Sequence, residues 1–292
     1  MLLEREQKML DIIKAIIYGI VEGITEWLPV SSTGHMILLN EFVKLDVSEE
    51  FFSMFLVVIQ LGAILAVIIL FWNKLWPFAM PKNNPDPVKK NGLLSVCIAS
   101  RWKLWIRILI ACIPAAIIGI LFDDILDELF YNPTCVAIML ILFGIAFIII
   151  ESINIPVKND IQNVEDITIK QSLIIGIWQV IAAVFPGTSR SGATITGSLL
   201  MGIPRAVAAE FTFLLAVPVM LGASLLKVLK FGFHFTGMEI AILFTGMITA
   251  FVISIFVIRF FLGYIRKHDF KIFGYYRIIL GLIVFGFLVV FR

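Results

Sequence analysis

Charged residues are scarce in this chain. Lys, Arg, Asp and Glu together make up 15% of its 292 residues, where an ordinary soluble domain has about 25%. Apolar residues take their place at 60%, with a mean hydropathy of +1.02. Several uninterrupted apolar runs reach the roughly 20 residues that cross a hydrocarbon core, which leaves a soluble fold with very apolar helices as a minor alternative. A net charge of +2 is too small to imply a nucleic-acid partner. The three cysteines, Cys97, Cys112 and Cys135, lack metal-ligand spacing and none lies beside a histidine, so small buried residues are expected. No small-residue cleavage site follows the first apolar stretch, so no removable signal peptide is expected. One membrane domain is expected over 1–292.

Full spans are expected at about 51–72, 104–121, 135–151, 211–229, 239–261 and 275–291. Two further apolar regions, about 10–44 and 171–203, are interrupted by Pro, Gly, Ser and Thr. The interruptions run Leu28-Pro29-Val30-Ser31-Ser32-Thr33-Gly34 and Phe185-Pro186-Gly187-Thr188-Ser189-Arg190-Ser191-Gly192. Proline removes a backbone bond from a helix interior, so each region reads as a helix, a polar turn at membrane depth and a second short helix. Irregular backbone at that depth is tolerated only inside protein or along a watery cavity. Both interruptions are therefore site candidates before any side chain is considered.

The two regions also match each other. A shift of 157 places Gly19 on Gly176, Glu22 on Gln179, Pro29 on Pro186 and Ser32 on Ser189; a shift of 160 places Glu50 on Glu210 and Leu61-Gly62-Ala63 on Leu221-Gly222-Ala223. The expected fold is an all-α integral membrane protein of two inverted-topology repeats, over about 10–151 and 171–291. Each repeat is a re-entrant helix hairpin plus three transmembrane helices. Lys74, Lys82, Lys89, Lys90, Arg101 and Lys103 place the loop after the first full span in the cytoplasm, as do Arg266, Lys267 and Lys271 for a later loop. Asp123, Asp124, Asp127 and Glu128 mark an external loop. By this count hairpin 1 enters from outside, hairpin 2 from the cytoplasm, and both termini are external. If each broken region were instead a full span, the repeats would be parallel.

Glu22 and Glu26 are i, i+4, so both carboxylates leave one helix face. Ionisable groups within a membrane segment are costly and point to function, and a carboxylate pair with phosphate oxygens is a usual way to hold Mg²⁺ or Ca²⁺. The plainer alternative is a pair turned outward near the membrane surface. Ser32 and His35 are i, i+3, which lets an imidazole serve a hydroxyl nucleophile; alternatively His35 attacks phosphorus itself or protonates the leaving group. His234 and His268 have no such company and read as interfacial. In the second interruption, Arg190 offers a planar fork for phosphate oxygens. A helix starting near Ser189 would aim its N–H groups at an anion, and Ser189, Ser191 and Thr194 add hydroxyl donors. The alternative there is an arginine reaching a lipid headgroup. Gly187-Thr188-Ser189 is not a P-loop, because the lysine and flanking strand are missing.

The stretch Glu22-Gly23-Ile24-Thr25-Glu26-Trp27-Leu28-Pro29-Val30-Ser31-Ser32-Thr33-Gly34-His35 resembles the first signature of the bacterial undecaprenyl-diphosphate phosphatase, or bacitracin-resistance, family. Pro186-Gly187-Thr188-Ser189-Arg190-Ser191-Gly192-Ala193-Thr194 resembles its second, and Val58-Ile59-Gln60-Leu61-Gly62-Ala63-Ile64-Leu65-Ala66-Val67 is also similar. The resemblance spans nearly the whole chain. Thr188 sits at a variable site of the pattern, and Trp27 stands where the family often has another aromatic. The resemblance implies removal of the terminal phosphate of undecaprenyl diphosphate in the bacterial plasma membrane, at a site facing the outer side. It also implies a divalent cation and competition by bacitracin for the lipid substrate. It implies Glu22 and Glu26 as metal or catalytic carboxylates, Ser32 and His35 as catalytic groups and Arg190 as the diphosphate clamp. Ser31, Ser189, Ser191 and Thr194 are supporting donors, with Gln60 a weaker candidate.

The expected course is entry of a polyprenyl chain between helices and capture of its diphosphate by Arg190 and a cation on Glu22 and Glu26. Attack by Ser32, with His35 as proton shuttle, would follow. A polyprenyl-phosphate transporter or flippase would use the same midplane site, and a homo-oligomer is left open. The broader lipid phosphate phosphatase superfamily fits poorly, since its upstream Lys/Arg motif and second catalytic histidine have no counterpart.

Overall fold

The computed structural model describes residues 2–80, 83–89, 93–153 and 155–287. Among these residues there is no strand, only two isolated bridges, Phe78 with Cys97 and Pro87 with Ile98. The described residues form twelve α-helices: α1 Leu2–Thr25, α2 Ser32–Phe42, α3 Glu49–Val58, α4 Gln60–Leu70, α5 Trp72–Leu75, α6 Ala99–Phe130, α7 Pro133–Ser152, α8 Ile169–Val184, α9 Arg190–Leu200, α10 Arg205–Phe231, α11 Gly237–Ile265 and α12 Lys271–Phe285.

Among the described residues, five segments are long and apolar enough to cross a membrane: Glu49–Leu70 (α3 with α4), Ala99–Phe122 of α6, α7, α10 and α11. Their outward faces are apolar. On α6, Ile106, Leu109, Ile113, Ile117 and Ile120 follow one another at helical spacing and are all exposed. A stripe of that size is stable against lipid and costly against water. The chain is thus a multi-pass membrane protein. The sixth expected span, 275–291, falls on α12, which has 15 residues; 288–291 lie outside the described residues. Lys82 and Lys90 of the basic loop also lie outside them. Pro114 and Pro218 sit inside α6 and α10, so a proline alone does not end a helix here.

Both expected interruptions are present. α1 stops at Thr25 and α2 begins at Ser32; α8 stops at Val184 and α9 begins at Arg190. α2 and α9 each have 11 residues, and each is capped by a serine with positive φ: Ser31 (φ 70, ψ 98) and Ser189 (φ 69, ψ 125). These are the only non-glycine residues with positive φ among those described. Each serine hydroxyl accepts the backbone N–H three residues on, Gly34 at 3.4 Å and Gly192 at 3.2 Å. Such backbone costs about 1–3 kcal/mol per residue, and a cap bond recovers about 1 kcal/mol. The two caps are related by a shift of 158 rather than 157: Ser31 and Ser189 cap, and Ser32 and Arg190 open, the two short helices, because one more residue separates Pro186 from its cap serine than separates Pro29 from its own. A Cβ on Gly19 would lie 2.6 Å from the Gly246 carbonyl oxygen, and one on Gly176 2.5 Å from that of Ala111, so each glycine allows a close helix approach.

α1 lies along α11, α8 along α6, α7 along α12, and α10 against α3, α4 and α9. One end of the bundle is tied by polar contacts. Lys74 pairs with Glu210 and Arg205 with Glu151. The Phe270 N–H donates to Glu151 at 3.1 Å, Arg107 to the Glu165 carbonyl at 2.7 Å and the Lys158 N–H to the Gly202 carbonyl at 2.9 Å. Those bonds fasten the outer ends of α8 and α9. The outer ends of α1 and α2 are fastened in a separate aromatic cluster, where the Tyr18 hydroxyl donates to Asn40 Oδ1 (3.2 Å) and to the Val43 carbonyl (2.8 Å). Phe51, Phe55, Phe231 and Ile242 pack around them.

Candidate active site

The two interruptions meet, and Glu26 is where they meet. It follows the last residue of α1, whose final turn still holds it: its N–H donates to the Glu22 carbonyl at 3.0 Å. One carboxylate oxygen, Oε2, accepts from the Ser32 hydroxyl at 2.8 Å. The other, Oε1, accepts from Arg190 Nη2 at 3.1 Å, across 164 positions of sequence. Ser32 and Arg190 are the first residues of α2 and α9, so equivalent positions of the two helices grip one carboxylate from two sides. Both members of the Glu26–Arg190 pair are largely buried. A buried ion pair is weak support for stability, so its presence in an apolar bundle points to chemistry.

The remaining groups hold this cluster in place. Arg190 Nη1 donates to the Thr212 carbonyl at 2.8 Å, which aims the guanidinium. Thr194 bonds the Thr212 hydroxyl at 2.8 Å and the Arg190 carbonyl at 2.9 Å, docking α9 on α10. Ser191 Oγ lies 3.0 Å from Ser189 Oγ and 3.4 Å from the carbonyls of Glu26 and Leu28. Trp27 is fully buried, edge-on to Phe213 at 5.2 Å. The first N–H groups of α2 and α9 have no partner within their own helices, so two helix N-termini border the cluster with donors for an anion.

Ser32 and His35 do not pair. Helical spacing puts them on one face, but Ser32 is the first residue of its helix and its hydroxyl turns back to Glu26. His35 Nδ1 lies 2.7 Å from the Ser31 carbonyl and its Nε2 lies 2.6 Å from the Tyr276 hydroxyl. A carbonyl only accepts, so Nδ1 carries a hydrogen, and Nε2 shares a hydrogen bond with the Tyr276 hydroxyl. The two rings are stacked, 5.6 Å apart. Gln60 stands half-buried at the start of α4, apart from the bonded cluster. The three cysteines, expected to be buried, are half-buried free thiols, Cys112 and Cys135 on long helices and Cys97 in the basic loop.

A divalent cation would find suitable oxygens on this wall. Glu22 is buried, its Oε1 has no hydrogen-bond partner, and the Glu26 carboxylate is one helical turn away. Among the described residues no three Asp, Glu, His or Cys side chains come together, so phosphate oxygens and water would complete a coordination shell. The pair fits a cation bound with substrate.

Arg277, on α12, is the residue that sequence reasoning missed. It is fully buried and donates to the carbonyls of Pro29 (3.2 Å), Gly187 (2.9 Å), Thr188 (2.7 Å) and Met139 (3.5 Å). Its guanidinium carbon also sits 5.7 Å from the Phe143 ring centroid. One side chain thus satisfies irregular carbonyls from both interruptions. An arginine within an expected span was the available signal.

A cavity of about 560 Å³ opens between α6, α8 and α10. Its walls are small and apolar, among them Ala115, Gly119, Ala182, Ala183 and Gly222, and it includes Arg190. Its far end, at Ile120 and Leu229, lies away from the polar-tied end of the bundle.

The family model described as bacitracin resistance protein BacA matches residues 15–283. The undecaprenyl-diphosphatase of Desulfitobacterium hafniense is 56% identical over 276 residues, covering 94% of this chain and 95% of its own. Undecaprenyl-diphosphatase 1 of Clostridium acetobutylicum is 58% identical over 272 residues (93% and 95%). That of Enterococcus faecalis is 54% identical over 275 residues (94% and 96%). A match of this extent, over the helices that carry Glu26, Ser32 and Arg190, means that the chain belongs to the bacitracin resistance protein BacA family.

Proposed function

We propose that this membrane protein is an enzyme that hydrolyses undecaprenyl diphosphate to undecaprenyl phosphate and inorganic phosphate, returning the carrier lipid of cell-wall synthesis to use. Relatives named for that substrate support it. The observation that carries it is the buried Glu26 carboxylate holding a hydroxyl and a guanidinium at once. Ser32 Oγ passes its proton to Glu26 Oε2 and attacks the terminal phosphorus. The bond from that phosphorus to the bridging oxygen breaks, and the lipid monophosphate leaves. Water then attacks the phosphoserine, releasing orthophosphate and restoring the Ser32 hydroxyl. Arg190 and the N-termini of α2 and α9 stabilise the charge on the transferring group, usually the largest catalytic contribution. His35 is a positioning residue here: its bond to the Ser31 carbonyl fixes the strained cap beside Ser32. A divalent cation (Mg²⁺ or Ca²⁺) held by Glu22 and Glu26 would neutralise part of the diphosphate charge.

The architecture is two inverted repeats. The exchange of α1 onto α11 and α8 onto α6, with α7 on α12, supports this, as do hairpins fastened in separate clusters. The basic loop sequences assign the polar-tied end to the cytoplasm. The cavity then opens toward the outer side of the bacterial plasma membrane, and a polyprenyl chain enters through it with its diphosphate at Arg190.

The test is phosphate release from a polyprenyl diphosphate by purified protein in detergent. Wild type is expected to release phosphate, and Arg190→Ala to lose about 10³-fold. Equal rates would remove the site. A phosphoenzyme trapped on His35 would remove Ser32 as nucleophile. The reciprocal helix exchange also suits a lipid carrier; an intact protein that releases no phosphate in detergent would favour that second function.

A further inference from the structure

The cavity contains a second strongly polar side chain besides Arg190, and nothing in the cluster uses it. Gln179, on the α8 face that also presents Ala182 and Ala183, is 2% exposed. Neither its Nε2 nor its Oε1 has a hydrogen-bond partner. Arg190 Nε is likewise buried and unpartnered, while both its Nη atoms are engaged, one on Glu26 and one on Thr212. Buried polar groups are rarely left unsatisfied, and each exception asks for an explanation. Here both unpartnered side chains, Gln179 and Arg190 at its Nε, border one apolar slot.

We propose that Gln179 is a lipid-phosphate recognition residue: its amide N–H donates to the phosphate that stays on the polyprenyl chain, which Arg190 Nε–H contacts from beside it. This rests on the phosphatase function above and divides the diphosphate between two subsites. The terminal phosphate faces Ser32 and Glu26. The proximal phosphate faces Gln179, at the inner end of the slot that takes the chain. The repeat explains why the residue is an amide. Gln179 stands where the shift of 157 places the counterpart of Glu22. A carboxylate with a free oxygen suits a cation, whereas a neutral amide can donate to an anion without repelling it.

The consequence is product recognition. A long-chain polyprenyl monophosphate should compete through Gln179, whereas orthophosphate, which lacks the chain, should bind through the Ser32 side. The experiment measures phosphate release from a polyprenyl diphosphate, with inhibition by each product, for wild type, Gln179→Met, Gln179→Glu and Arg190→Ala in detergent. Gln179→Met should raise KM and the inhibition constant of the monophosphate about tenfold, the loss of one charge-assisted hydrogen bond. Orthophosphate inhibition and kcat should stay within twofold. Gln179→Glu, which adds a negative charge at nearly the same shape, should raise both constants further. Thermal stability of Gln179→Met should be unchanged or higher, because an unpartnered amide is replaced by an apolar chain of similar size. A lower melting temperature in Gln179→Met, unchanged monophosphate inhibition, or equal shifts for both products would each overturn the proposal. Full activity in Arg190→Ala would instead overturn the phosphatase site on which it rests.

Discussion

The two interruptions are one backbone device carrying opposite chemical loads. Each ends in a serine at φ near 70° that caps an 11-residue helix, and each delivers the first residue of that helix to Glu26. The first carries carboxylates and an imidazole; the second carries the guanidinium and hydroxyls. Their difference shows how two similar breaks can build one asymmetric site. The fold supplies two convergent helix N-termini, and the side chains that open them, Ser32 and Arg190, bring different chemistry to one carboxylate.

Breaking the joint should have the largest effect. Glu26→Gln and Ser32→Ala should each lower phosphate release about 10³-fold, and the double variant little further, because the residues act as a unit; additive losses in the same assay would separate them. Arg277→Met should leave carbonyls from both interruptions unpaired and cost about 3 kcal/mol, lowering the melting temperature by roughly 6–12 °C. A wild-type melt would mean that the two breaks hold together without it. Gly187→Ala tests a feature present in only one break. At φ 91, with a Cβ 2.6 Å from the Val136 carbonyl, it should cost about 2 kcal/mol, read as a drop in denaturation midpoint. The smallest and most symmetric effect is at the caps. Ser31→Ala and Ser189→Ala should each cost about 1 kcal/mol, and clearly unequal losses in thermal melts would show that the breaks are not equivalent.

Much of this was legible in the sequence. Glycine, serine and proline crowded into an apolar run marked both interruptions, and Pro114 and Pro218, without such neighbours, stay helical. Glu26 and Arg190 were recognisable because ionised groups at membrane depth need partners. Their contact fixed which two. What failed was local geometry. The i, i+3 spacing of Ser32 and His35 implied a pair, but a residue at a helix start can turn back toward the preceding loop. The shift of 157 set Ser32 on Ser189, whereas the structure makes Ser32 and Arg190 the two residues that open a helix. Arg277 was hidden for a different reason: its partners are backbone carbonyls, which leave no mark in a sequence.

Those carbonyls have a mechanical consequence. A guanidinium sealed away from water and bonded to both loops couples them to α12. Pulling the loops apart would strand a cation in a dry interior. The catalytic halves therefore travel as one piece, and access has to come from shifts of the outer helices that wall the slot.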